Sequence, residues 1–328
     1  MGAACGTEPL TALEMCDVPG GCAPPVDDGG RDDPPGSGRV YVVDTLAIGE
    51  PEVGFDVDER CQPDCVDNAL TGLGRFANPT LQSGVQFSHD VLLFEVLGID
   101  EGFAGDDEAV TLAVYRGLDV DDDRTNNFDG AGRLLLDRAS LTADGLARTR
   151  VPAKIRDGRL ATEVPFDAAI TMSLSLMQRP ALPFREVRVA FDLDRDTFAN
   201  GVLGGAVPAE ALFALEEPFC KTVSARCPAP IFDPTLLDFV AQTLGGQPDI
   251  DLDGDGAECV VDGDGDGKLD VCCDALPDGF CSPMCANQAP PLDAANPASC
   301  VGHEAIADGY SIGLEVTGVA ATIVGVAE

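Results

Sequence analysis

The chain contains no tryptophan, three tyrosines, two histidines and only three lysines, Lys154, Lys221 and Lys268, beside 17 arginines. Without tryptophan it lacks the residue most often used as a flat platform for sugar rings, which lowers the case for a ring-stacking lectin or a carbohydrate hydrolase. The histidines, His89 and His303, belong to no HExxH pattern, and no GxSxG turn is present, so zinc-protease and hydrolase-elbow chemistry have no residues to work with. No apolar run reaches the roughly 18 residues that a membrane helix needs. Positive charge is scarce: 20 Lys and Arg stand against 57 Asp and Glu, a formal net charge of −37. A field of that sign excludes binding to nucleic acid through phosphate neutralisation and disfavours anionic membranes.

What is present is acid, cysteine and short β-rich segments. With 328 residues, 45% of them hydrophobic, the chain can bury a core, and its 5% aromatic content leaves Val, Leu, Ile, Ala and Phe to fill it. Residues 1–39 are rich in Gly, Pro and Asp and read as a flexible tether. Short β-rich runs follow: Val40–Leu46, Val91–Leu97, Val110–Tyr115, Arg133–Leu136, Ile170–Leu176 and Val187–Leu193. Turn-forming residues separate them, which predicts an antiparallel β-sandwich or jelly roll. Helices are expected over Asn68–Phe76, over Pro208–Leu215 and after Asp233-Pro234. The run Gly201-Val202-Leu203-Gly204-Gly205 reads as a packed turn. Residues 218–304 hold the densest cysteines and aspartates and read as an insertion stabilised by disulfides and calcium. The expected sandwich then comprises 40–217 and 305–328, completed by strands over Tyr310–Val316 and Val319–Val324.

The 13 cysteines lie in loop-like segments at irregular spacings. That pattern suits disulfides in an oxidising compartment, and hence a secreted or cell-surface address; zinc sites more often pair CxxC units or recruit histidine. The opening Met1-Gly2-Ala3-Ala4-Cys5 resembles the tail of a bacterial lipoprotein signal, with Gly2 where a Leu-like residue is usual and no apolar segment before it. A lipid anchor at Cys5 is therefore one expectation, and a bridged or free thiol the other.

The principal chemistry lies in the acidic run. Asp251, Asp253, Asp255 and Glu258 lead to Asp262, which opens a second unit of Asp264, Asp266, Asp270 and Asp274. Aspartates at positions 1, 3 and 5, with Gly256 or Gly267 at position 6, let the chain wrap a hard cation in oxygen ligands. Asp262 ends one loop and begins the next. This stretch of about 25 residues resembles thrombospondin type-3 repeats and, more loosely, dockerin and EF-hand loops. It departs from an EF-hand in lacking Glu at position 12 and in the helix-breaking Gly245-Gly246-Gln247-Pro248. The resemblance implies a structural Ca2+ site. A second candidate loop carries Asp56, Asp58, Asp64 and Asp67, with Cys61 and Cys65 between them. Asp119–Asp129, interrupted by Arg124, reads as a solvated hairpin loop, and Asp192, Asp194 and Asp196 as the exposed end of a strand.

The segment Gly54-Phe55-Asp56-Val57-Asp58 with Asp67-Asn68-Ala69-Leu70, taken with Tyr310-Ser311-Ile312-Gly313-Leu314-Glu315-Val316, resembles uncharacterised secreted or surface proteins of myxobacterial type over residues 40–325. That resemblance implies an extracellular address and no activity. The chain is thus expected to be a non-catalytic calcium-binding surface protein serving structure, adhesion or self-assembly. A calcium-dependent glycan- or protein-binding module and a secreted hydrolase with a carboxylate pair are the alternatives.

Overall fold

A computed structural model describes residues 29–58, 66–87, 91–99, 106–121, 123, 125–174, 179–215, 236–238, 240, 244, 248–252 and 308–327. All 13 cysteines, Asp64 and the acidic run from Asp253 onward lie outside them. The strands are β1 (Arg39–Ile48), β2 (Leu92–Leu97), β3 (Asp107–Asp119), β4 (Gly132–Leu136), β5 (Thr149–Arg156), β6 (Arg159–Thr162), β7 (Phe166–Thr171), β8 (Ala181–Leu193), β9 (Thr197–Pro208) and β10 (Gly309–Val326). Helix α1 spans Thr71–Gln86 and the short α2 spans Ala209–Phe213. No helix among the described residues is long and apolar enough to cross a membrane.

The expectation of a mainly β chain is met, but the sheet closes on itself instead of stacking as two separate layers. Strands β1, β10, β9, β8, β6, β5, β3 and β2 form an antiparallel eight-stranded barrel, with β2 returning to pair with β1. Closure needs strongly coiled strands, and register shifts in β1, β8 and β10 supply the extra twist. Side chains fill an eight-stranded barrel. Here Tyr41, Phe94, Phe191 and Phe198 meet in the centre, all essentially fully buried. Phe191 and Phe198 have ring centroids 4.6 Å apart, and Tyr41 stands edge-on to Phe198 at 5.9 Å.

A second ring shares one wall of the barrel. Strand β4 pairs with the end of β3 and, in parallel, with the last residues of β10, closing β1, β2, β3, β4 and β10 around their own core. Leu93, Ala113, Tyr115, Leu134 and Leu136 fill it. The wall strands are therefore buried on both faces, which explains their nearly unbroken apolar runs. Glu95 is fully buried on this side. Its carboxylate accepts the amides of Gly36 and Gly38, at 2.9 and 2.8 Å, and the Tyr115 hydroxyl at 2.8 Å. These bonds tie the segment before β1 across the second core.

Helix α1 buries Leu73, Ala77, Leu81 and Val85, a single stripe at four-residue spacing. It also caps a strand edge. Beyond Val42 the β1–β2 ladder ends, and two amide side chains take over. Asn78 bonds both the amide and the carbonyl of Ile48, and Gln82 bonds the amide of Leu46 and the carbonyl of Asp44. Four helical residues rise about 6 Å along the axis, nearly matching two strand residues, so an i, i+4 pair can stand in for a strand.

The run Gly201–Gly205 lies within β9 and is not a turn. The long final strand β10 replaces the two strands expected there. Strands β5 and β6 had no expectation at all.

The barrel centre should dominate stability. Phe198→Ala should cost about 3–5 kcal/mol in urea unfolding, whereas Val324→Ala, on the exposed outer face of β10, should change stability by less than about 0.5 kcal/mol.

Candidate metal centre

The described part of the segment between β1 and α1, residues 49–58 and 66–68, packs against β9 and β10. Two glycines make room for it. A Cβ on Gly313 would stand 1.8 Å from the Val53 carbonyl oxygen, and one on Gly204 would stand 2.8 Å from the Phe55 ring. Asn68, buried beneath the loop, fastens it. Its amide donates to the carbonyls of Gly49, Glu50 and Val53 at 3.2, 3.0 and 2.9 Å, and its oxygen accepts the Gly313 amide at 3.0 Å. The neighbouring Phe55 and Asp67 form an isolated antiparallel bridge, closing the acidic loop at its neck.

That closure brings three acids together. One carboxylate oxygen from each of Asp56, Asp58 and Asp67 lies within 4.8 Å of the others, and all three residues are partly buried. Asp67 accepts the Val57 amide at 2.7 Å. Burial raises its pKa above the usual carboxylate range; the Val57 bond opposes this, and the charges of Asp58 and Asp56 add to it. Three carboxylates at this spacing repel one another and offer only oxygen. The donor set fits a hard cation and is not by itself specific for calcium.

Asp249, at the head of the long acidic run, reaches the same neighbourhood from the other side. Beyond Ile48 the β1 edge of β10 has no strand partner, and a succession of loop groups completes it. Asn68 takes the Gly313 amide, Leu70 donates to the Ser311 carbonyl at 3.1 Å, and Ile250 bridges Gly309. Between these, the Asp249 carboxylate accepts the Ser311 amide at 2.7 Å and also bonds the Ser311 hydroxyl. That hydroxyl accepts in turn from the Ala69 amide at 2.8 Å, so one serine joins the two acidic segments. Desolvation pushes the Asp249 pKa up to about 7; the Ser311 bonds oppose the shift, and the charges of Asp67 and Asp58 reinforce it.

Of the residues expected to bind metal, Asp56, Asp58 and Asp67 are brought together. Asp251 is partly buried beside the Ile250–Gly309 bridge and does not join that cluster. Asp64, Asp253, Asp255, Glu258, Asp262, Asp264, Asp266, Asp270 and Asp274 lie outside the described residues. The Asp119–Asp129 loop spends its carboxylates on its own backbone: Asp119, Asp121, Asp123 and Asp129 each accept the amide two residues on. Asp192 accepts from Arg159 and Asn200, as a strand-end residue should. Ser311 and the edge-capping role of Asp249 have no local signal, because their contacts cross 62 and 242 residues of chain.

No family model matches the chain, and no curated protein or solved structure matches it.

The raised Asp249 pKa carries a pH signature. Between the usual carboxylate range near pH 4 and about pH 7, the folded chain holds a proton on Asp249 that the unfolded chain has lost. Its contribution to stability therefore falls as pH rises through that window and stays reduced above it. In chelator, Asp249→Asn should gain stability relative to the parent chain as pH rises from 4 to 7. Thermal melts across that range check the sign, and a difference that does not change with pH would refute it.

Proposed function

We propose that the chain is a non-catalytic, calcium-stabilised extracellular protein that serves surface structure, adhesion or self-assembly. The observation that carries this reading is the meeting of Asp56, Asp58 and Asp67 within a loop clamped to the barrel. A divalent cation there relieves the repulsion among three carboxylates and fixes the loop that covers the open edge of β10. The long acidic run begins at this point, where Asp249–Leu252 lie against the start of β10. Its resemblance to thrombospondin type-3 repeats supports the choice of calcium, with Asp251 to Asp274 wrapping further ions. In this reading the cysteines are bridged in an oxidising compartment, and calcium and disulfides together make the 218–304 segment rigid. The acidity of the rest of the surface keeps the protein soluble.

The size of the effect can be bounded. A site with a dissociation constant of about 0.1 mM, in about 1 mM free calcium, adds about 1.4 kcal/mol. Two or three such sites form a large part of a typical stability of about 5–15 kcal/mol. Thermal unfolding with disulfides intact should shift upward by at least about 3 °C on going from excess chelator to millimolar calcium. Magnesium should give less, because it demands a tighter octahedral shell and sheds water reluctantly. Asp67→Asn should reduce the calcium shift and leave the fold intact. No calcium shift in the parent chain would remove the basis of the proposal.

A further inference from the structure

We propose a second ligand site, for a small aliphatic carboxylate, in a cleft at the other seam of the barrel. The cleft lies where the wall is incompletely zipped. The β3–β5 ladder stops at Val114 and Thr149, and β7, among the described residues, pairs only with β8. Between the facing edge of β7 and the start of β5 is a cavity of about 200 Å³. Leu92, Val114, Ala168 and Ile170 give it an apolar floor, and Arg116 and Arg148 stand among its lining residues.

The two arginines differ. Arg116 is neutralised by Asp137, which also lines the cleft, at 3.2 Å. Arg148 has no carboxylate partner among the described residues. Its Nε donates to the Ala139 carbonyl at 3.1 Å and its Nη2 to the Leu141 carbonyl at 2.9 Å. Two backbone acceptors therefore fix the orientation of the guanidinium without cancelling its charge. A held guanidinium with no carboxylate partner among the described residues, beside an apolar cavity, sets a fixed positive charge next to apolar surface, the combination an aliphatic carboxylate needs. The remaining guanidinium nitrogen, Nη1, can donate to one carboxylate, and the cavity can take a branched chain of four or five carbons, well below the size of a drug-like pocket. The same group could arrive as a free acid or as the C-terminal residue of a peptide.

Calorimetric or NMR titration of the full chain in saturating calcium tests this, with 4-methylpentanoate, the corresponding alcohol, and a tetrapeptide ending in leucine as free acid or amide. Both acids should bind saturably if the source is open, and the free acid alone if only a small molecule can enter. The alcohol and the amide should bind at least about tenfold more weakly. Arg148→Met should lose about tenfold or more in acid affinity, and Arg148→Lys should recover part of it. Equal binding of acid and alcohol, unchanged affinity in a folded Arg148→Met chain, or no saturable binding up to about 50 mM would overturn the assignment. The acid-against-alcohol comparison stands even if the methionine variant does not fold. None of these outcomes depends on the cation reading of the acidic loop.

Discussion

The structure turns on how one strand edge is finished. β10 runs the length of the barrel and pairs with β9 on one side, but β1 reaches only as far as Leu314 on the other. The remaining edge, Gly309 to Gly313, would present unpaired amides and carbonyls, an invitation to edge-to-edge association. The chain covers it with an asparagine side chain, an aspartate side chain and two short backbone contacts contributed by segments far apart in sequence. Because the covering groups belong to Asn68 and Asp249, they sit immediately beside the carboxylates of Asp56, Asp58 and Asp67. Barrel integrity and charge balance in the acidic loop are thereby coupled. Whatever neutralises those acids also favours the loop geometry that seals the edge.

The same device occurs at β1, where Asn78 and Gln82 of α1 act in place of a strand. Amide side chains suit this task, since each carries a donor and an acceptor at a separation close to that of a backbone peptide. Both faces of the β1–β2–β3 wall are consumed by cores, so the edges are the sites left for adaptation. The buried Glu95 extends the pattern: a polar side chain, fully bonded, holds an irregular segment against a regular sheet.

The sequence made some of this legible. Val40–Val43, Leu92–Leu97 and Val110–Tyr115 are read easily as strands because burial on both faces leaves them apolar but for Glu95 and Thr111. β9 was hidden because Gly201, Gly204 and Gly205 are small for a reason outside the strand, including the approach of Phe55 to Gly204. β5 was hidden by Pro152 and by its charged outward residues, although Val151, Ala153 and Ile155 alternate correctly toward the core. Periodicity reports which side chains are buried and not which strands become neighbours, so a closed barrel with an annexed ring was not distinguishable from a sandwich. At the acidic loop, the spacing of Asp56, Asp58 and Asp67 was informative because all the contacts are local. The clamp at Ser311 was not, since it joins residues that only the completed barrel brings together.

Hydrogen exchange by mass spectrometry, with and without calcium, tests the coupling between the acidic loop and the β10 edge most directly. The amides of Gly309, Ser311 and Gly313 are donated to Ile250, Asp249 and Asn68. The account predicts that calcium slows exchange in peptides covering 55–70 and 309–313 together, while peptides from the barrel centre around Phe191 and Phe198 change little. Calcium binding that leaves the 309–313 edge unaltered would contradict it.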